Sequence, residues 1–256
     1  MDTQAQHSER DRSSAPDEGP EERSRFSRVG SRIAAALSRP RTLALGAAGA
    51  GVLLLFSAYV VQPYLIPSGS MEPTLRVGDR VLVNKLAYRF GSVPERGDVV
   101  VFDGTGSFVR QDADGNPVTA LLRRAAASLG LAEPADTDFV KRVVGVGGDR
   151  VVCCDERGRV EVNGVPVDET YLHPGDSASR VPFDIAVPRG TLWMMGDHRS
   201  RSSDSRDRLG SPGGGMVPVD MVTGRVDWLG WPFARVGPLP GTAAFDGVRV
   251  PGGAHG

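Results

Sequence analysis

The sequence predicts a mostly-β domain of antiparallel sheets carried behind one apolar helix. Three observations lead there. Glycine (33) and proline (19) are plentiful, while aromatic residues make up 6% of the 256. That is the composition of turn-rich β structure rather than of a helical bundle. Beyond residue 61 the apolar residues come in short β-branched runs bounded by turn residues. Residues 42–61, TLALGAAGAGVLLLFSAYVV, carry no charge. About 20 helical residues at 1.5 Å each cover the ~30 Å hydrocarbon core of a bilayer.

Taken in order, residues 1–41 are rich in Ser, Arg, Asp and Glu without sustained periodicity, which predicts a disordered arm. Arg23, Arg25, Arg28, Arg32, Arg39 and Arg41 cluster toward its end. Basic residues before a span place that side in the cytoplasm, so the rest of the chain is expected outside. A cleaved signal peptide is the competing reading. A 41-residue polar lead is long for one, and the small-x-small stretch Ala48-Gly49-Ala50 lies inside the apolar run rather than after it. A core helix fits poorly with the flanking arginines. One uncleaved, single-pass anchor is therefore expected.

One domain is predicted over 62–235. Its strand candidates are 79–90, 97–102, 139–154, 159–167, 190–197 and 216–231. Asn163-Gly164 between short β-rich runs predicts a hairpin. A polar insert from about 103 to 138 holds a helical pattern at 118–131. SPGGG (211–215) reads as a loop, and 236–256 as a weakly patterned tail. No internal repeat is visible.

Composition excludes some functions. A net charge of −1 offers no field to draw the chain to nucleic acid. His7, His173, His198 and His255 form no HExxH or other metal spacing, so neither metal nor organic cofactor is expected. Cys153 and Cys154 are adjacent. Neighbouring Cα atoms across a trans peptide, about 3.8 Å apart, are too close for a relaxed disulfide. Two small, mostly buried thiols are the expectation, with a vicinal or intermolecular disulfide as the alternatives.

Of the 30 Lys and Arg residues, only Lys85 and Lys141 are lysines. A lysine kept in a chain that prefers arginine suggests work arginine cannot do. Burial lowers a lysine pKa, and a neutral amine can take a proton from a serine hydroxyl. Arginine stays protonated. Both lysines have apolar neighbours, and this chemistry alone does not choose between them. If the strand around Lys141 alternates, Val140 and Arg142 share one face and Lys141 takes the other. PSGSM (67–71) is, by itself, turn chemistry.

Five blocks in order behind the apolar run decide the matter. They are PSGSMEPTL (67–75), GDRVLVNK (78–85), RGDVVVF (96–102), KRVVGVGGD (141–149) and GDHRSRSSDSR (196–206). Together, from about residue 63 to 229, they resemble the type I bacterial signal peptidases, membrane-bound serine proteases that remove signal peptides from exported preproteins. The resemblance implies a signal-peptidase/LexA-like β fold with a smaller inserted lobe. It implies Ser70 as nucleophile and Lys141 as general base. Ser68 would assist the oxyanion beside the Ser70 N–H, and Ser202 would orient the Lys141 amine. Asp204 and Arg206 would buttress the site as an ion pair. Ile66, Met71, Leu75, Phe139 and Val140 would shape pockets for small residues at −1 and −3. The expected partners are signal peptides and the lipid bilayer, with the protein working as a monomer. The anchor would keep Ser70 close to the bilayer surface.

Two positions depart from the family pattern. His198 stands where Asn is usual, and Gly147 where Pro is usual. The segment from Gly148 to Gly196 is short, which suggests a compact second lobe. Composition rich in Ala, Gly and Arg points to an actinobacterial source. A self-cleaving LexA-type Ser/Lys protease lacks support, since no DNA-binding module is present. The remaining alternative is a catalytically silent anchored domain that binds exported chains.

Overall fold

The computed structural model describes residues 40–109, 137–211 and 213–249. The expected arm (1–39), the helical pattern at 118–131 with most of its insert, Pro212 of the SPGGG loop and the last residues of the tail lie outside the described residues. The chain divides into two compact units, Met1–Val52 and Leu53–Gly256. The division falls within helix α1 (Pro40–Tyr59). Leu43, Leu45, Val52, Leu53, Leu55 and Phe56 on α1 are exposed. Among the described residues no helix is long and apolar enough to cross a membrane. The side chains at 40, 41 and 58 are not among those described.

The second unit is antiparallel β throughout its named strands. These are β1 (Val61–Leu65), β2 (Arg80–Asn84), β3 (Val99–Asp103), β4 (Asp138–Val146), β5 (Arg150–Cys153), β6 (Val160–Val162), β7 (Val165–Pro166), β8 (Phe183–Ala186), β9 (Thr191–Met195), β10 (Val217–Pro218), β11 (Val222–Trp231) and β12 (Gly237–Pro238). One sheet runs β1-β2-β11-β3-β4-β9-β10, with β12 added beside β11. The other runs β7-β6-β5-β8 and is built wholly from the segment between β4 and β9. That smaller sheet matches the compact second lobe expected from the short segment.

Alternation explains the strands. In β2, Val81 and Val83 are fully buried while Arg80 and Leu82 face outward. Each buried valine side chain contributes roughly 1.5–3 kcal/mol. The Asn163-Gly164 hairpin forms as predicted, with both residues at positive φ (55° and 75°), the geometry of a type I′ turn. The long run 139–154 divides into β4 and β5 at a turn where Gly148 has φ 99°. Asp149 fastens this turn, accepting the Val146 N–H and a paired Arg96 guanidinium.

Gly147 has a steric reason in this chain. A Cβ there would lie 2.9–3.0 Å from backbone atoms of residues 188–190. The following loop occupies the space that a proline ring would need. The run 216–231 also divides, into β10 and β11, across a short 3₁₀ turn (Val219–Met221).

Two expectations need correction. Cys153 and Cys154 are joined as a vicinal disulfide rather than left as two thiols. Their connecting peptide is cis, with the Cα atoms 2.9 Å apart. The C-terminal segment, weak in pattern, nevertheless buries Phe245 and Val248 in the core around Trp193. It is fixed there by backbone carbonyls, not periodicity: Val248 O accepts from Arg96, and Arg249 O from Asn163.

Candidate active site

The central strand β4 supplies the lysine. Val140 packs with Val99 and Val101, whereas Phe139 and Val143 pack with Val100 and Phe102. The predicted alternation is therefore real, and Lys141 shares its parity with Phe139 and Val143. Cross-strand, Lys141 lies opposite Val100. Its side chain is 4% exposed.

PSGSM does form a turn, a 3₁₀ helix over Gly69–Met71 with Ser68 extended before it. The turn turns the Ser70 side chain inward. Lys141 Nζ donates to Ser70 Oγ over 2.7 Å, and both side chains are buried. Lys85 follows β2, and its backbone N–H donates to Val60 O. Burial is the main force on the Lys141 amine and pushes its pKa down to about 8. Asp204 and Asp197 pull in the opposite direction, and Arg206 adds to the fall. A serine hydroxyl in contact with an amine that becomes mostly neutral above about pH 8 can be activated by proton transfer.

The remaining predicted residues gather around this pair to different degrees. Ser68 Oγ lies 3.4 Å from Ser70 Oγ. Asp204 and Arg206 form a buried two-pronged pair, both bonds at 2.8 Å. Burial acts to raise the Asp204 carboxyl, but the Arg206 hydrogen bond and charge overcome it and hold it low. Asp204 also accepts the Gly196 N–H at 3.0 Å and caps the turn that carries Arg206. The Ser202 hydroxyl is buried without a hydrogen bond of normal geometry, although its proximity helps keep Asp204 charged. Ile66, Met71 and Leu75 are buried in one apolar cluster, with Val140 packed against it. Phe139 belongs elsewhere, in the cluster with Phe102 and Phe108.

His198 touches the Ser70 turn through its backbone. Its N–H donates to the Ser70 carbonyl at 3.1 Å. Its ring makes no hydrogen bond to Ser70 and instead stacks on His173. Gly196 has a clear reason too, since a Cβ there would collide with the Ser70 carbonyl and the Ser202 hydroxyl.

Sequence reasoning missed the groups that hold these segments together. Arg142, next to the lysine, makes a two-pronged pair with Asp197 (2.8 and 2.6 Å) and donates to Gly97 O at 2.7 Å. Its guanidinium lies 4.0 Å over the Tyr171 ring. Thr74, three residues beyond Met71, donates to the same Asp197. Arg199 pairs with Glu169 out of solvent. The available signal was charge inside apolar or glycine-bounded blocks, KRVVG and GDHRSR. Only the fold shows which charge meets which.

Comparison with known proteins now has a geometry to stand on. The family model described as signal peptidase, peptidase S26, matches residues 41–231. A probable signal peptidase I of Mycobacterium leprae (strain TN) is 38% identical over 216 residues, covering 73% of this chain and 74% of that protein. Signal peptidase I of Mycobacterium tuberculosis (strain ATCC 25618 / H37Rv) is 39% identical over 201 residues, 70% and 68% of the two chains. Signal peptidase IB of Staphylococcus aureus (strain N315) is 29% identical over 200 residues, 72% and 85%.

Proposed function

This chain belongs to the signal peptidase family, peptidase S26, and from that premise we propose that Ser70 and Lys141 carry out its signal-peptide cleavage. The protein is a serine endopeptidase that removes signal peptides from preproteins. One observation carries the assignment of its residues: the 2.7 Å contact between Lys141 Nζ and Ser70 Oγ in a buried setting. With the amine neutral, Lys141 accepts the Ser70 proton as Oγ attacks the scissile carbonyl. It then returns that proton to the leaving amine. An acyl-enzyme on Ser70 forms and is hydrolysed by water activated through the same amine.

The other roles follow in the same proposal. The Ser68 hydroxyl and the Ser70 N–H stabilise the tetrahedral oxyanion, where each donor is worth about 2.7–4 kcal/mol. The unspent Ser202 hydroxyl receives a Lys141 N–H and holds the amine's orientation. Asp204 and Arg206 lock the loop that presents Ser202. Ile66, Met71, Leu75 and Val140 bound the pocket for small side chains, with the partly buried Phe139 at its margin. An apolar pocket with this lining would reject large residues sterically.

We place the apolar run 42–61 at the bilayer, as the part of the chain that anchors it there. The support is the charge-free sequence at 42–61, the arginines before it, and the exposed Leu, Val and Phe side chains that water would otherwise cover. The N-terminus is then cytoplasmic and the β domain extracytoplasmic, working as a monomer. A silent binding domain has no use for a desolvated lysine on a serine.

The deciding assay incubates purified protein in detergent with a preprotein. Wild type cleaves it; Ser70→Ala and Lys141→Ala do not. Retained cleavage by Lys141→Ala together with loss in Lys85→Ala would overturn the base assignment.

A further inference from the structure

Beside the nucleophile, three side chains that the peptidase chemistry does not use converge: Glu72, His173 and His198. One potential ligand atom from each lies within 4.8 Å of the other two. We propose that this cluster is a binding site for a borderline transition-metal cation, Zn²⁺, that restrains the Ser70 turn and slows cleavage.

The donor set fits. Two imidazoles and one carboxylate are the N₂O ligands that zinc accepts, leaving a fourth position for water. Both rings hold lone pairs. His173 Nδ1 faces the Pro174 carbonyl at 3.0 Å, and a carbonyl only accepts, so Nδ1 carries the proton and Nε2 is the free donor. The rings are parallel within 2° at a centroid distance of 3.8 Å, so one ring must rotate for both in-plane lone pairs to meet a single ion.

His198 supplies the independent sign of a missing partner. It is 6% exposed, and its Nδ1 is buried with no hydrogen bond. A Glu72 oxygen lies 3.6 Å from that nitrogen. A buried polar atom left unsatisfied costs about 1–3 kcal/mol, and a cation between the two would satisfy both. Tetrahedral zinc at 2.0–2.1 Å from each donor separates the donors by about 3.3 Å. From separations of up to 4.8 Å the cluster must close by up to about 1.5 Å, within reach of a rotation of the partly exposed His173.

The coupling to catalysis is short. The Glu72 N–H donates to Gly69 O, and the His198 N–H donates to Ser70 O. Glu72 and His198 therefore belong to the two segments that bracket the nucleophile. Drawing them together shifts Ser70 relative to Lys141, and a misplacement of about 1 Å can cost 10²-fold in rate.

The test titrates ZnCl₂ into the full-length protein in detergent by calorimetry, in parallel with His173→Gln and Glu72→Gln. His173 lies outside the proposed catalytic groups. Its replacement leaves metal-free cleavage unchanged. Wild type is expected to bind one Zn²⁺, and each variant at least about tenfold more weakly. Magnesium should not compete. Zinc should slow preprotein cleavage by wild type and leave His173→Gln unaffected. Equal zinc binding by wild type and both variants overturns the proposal, as does equal zinc inhibition of wild type and His173→Gln. The inference rests on the peptidase reading only for its inhibitory arm. A chain that binds zinc through these residues but never cleaves a preprotein refutes the enzyme reading and the inhibition, while the calorimetry still decides the site.

Discussion

Lys141 and Arg142 are neighbours on β4, both basic, both almost fully buried, and their surroundings treat them in opposite ways. Arg142 meets Asp197 face to face. Burial works against its charge, but the hydrogen bonds and charge of Asp197 overcome it and raise its pKa further. Lys141 meets a neutral hydroxyl. Its nearest carboxylates act only through space, burial wins, and its pKa falls to about 8. Pairing, rather than burial, decides which buried cation stays a cation. The strand uses one to fasten the loops and offers the other as the proposed base.

The largest effects come from breaking the neutral half of this comparison. Ser70→Ala and Lys141→Ala should each lower kcat by at least about 10³-fold, as loss of one member of a nucleophile–base unit does, measured on preprotein cleavage. Lys141→Arg should be as inactive, because its side chain does not deprotonate.

Next comes the charged half. Asp197→Ala leaves Arg142 buried without its partner. That should destabilise the fold by about 3–5 kcal/mol, read by denaturant unfolding. A fall no larger than that of an exposed control would show that Arg142 finds another partner.

Lys141→Met sharpens the contrast further. The folded pKa lies below the unfolded value, so the unfolded chain binds more protons between about pH 8 and 10.5. Stability from this group therefore rises with pH across that window and is lowest below it. At pH 7, removing the amine should kill cleavage yet raise stability. The gap from 10.5 to about 8, at ~1.36 kcal/mol per pH unit, bounds the gain at about 3 kcal/mol.

The smallest effect is on the pH profile. The activity of wild type should rise through a limb near pH 8 as Lys141 loses its proton. Asp204 raises the Lys141 pKa, so Asp204→Asn should move that limb to lower pH. A limb that moves up, or that stays while the fold survives, would separate Asp204 from the base.

The sequence was most informative where chemistry is local. The Asn163-Gly164 hairpin and the alternation of β2 could be read from a few residues, because turn conformation and strand parity are set by nearest neighbours. The serine turn and the scarce lysines could be read too, and the ordered blocks supplied the roles proposed for them. The C-terminal residues could not. Phe245 and Val248 enter the core through hydrogen bonds from Arg96 and Asn163, each far away in the chain. The resemblance assigns Phe139 and Val140 alike to the pockets, whereas as neighbours on one strand they pack into different clusters.

By itself, then, the sequence determined the family and the β architecture, and it singled out Ser70 and Lys141 as the proposed nucleophile and base. Those depend on motif order, on period-two burial and on the side-chain chemistry of serine and lysine. Tertiary structure alone decided which buried charges are paired. It joined Arg142 to Asp197, left Lys141 against a hydroxyl, and brought Glu72, His173 and His198 together from distant loops. The reason is physical: a pKa or a ligand set depends on distances across space in a low-dielectric interior, and spacing along the chain does not encode them.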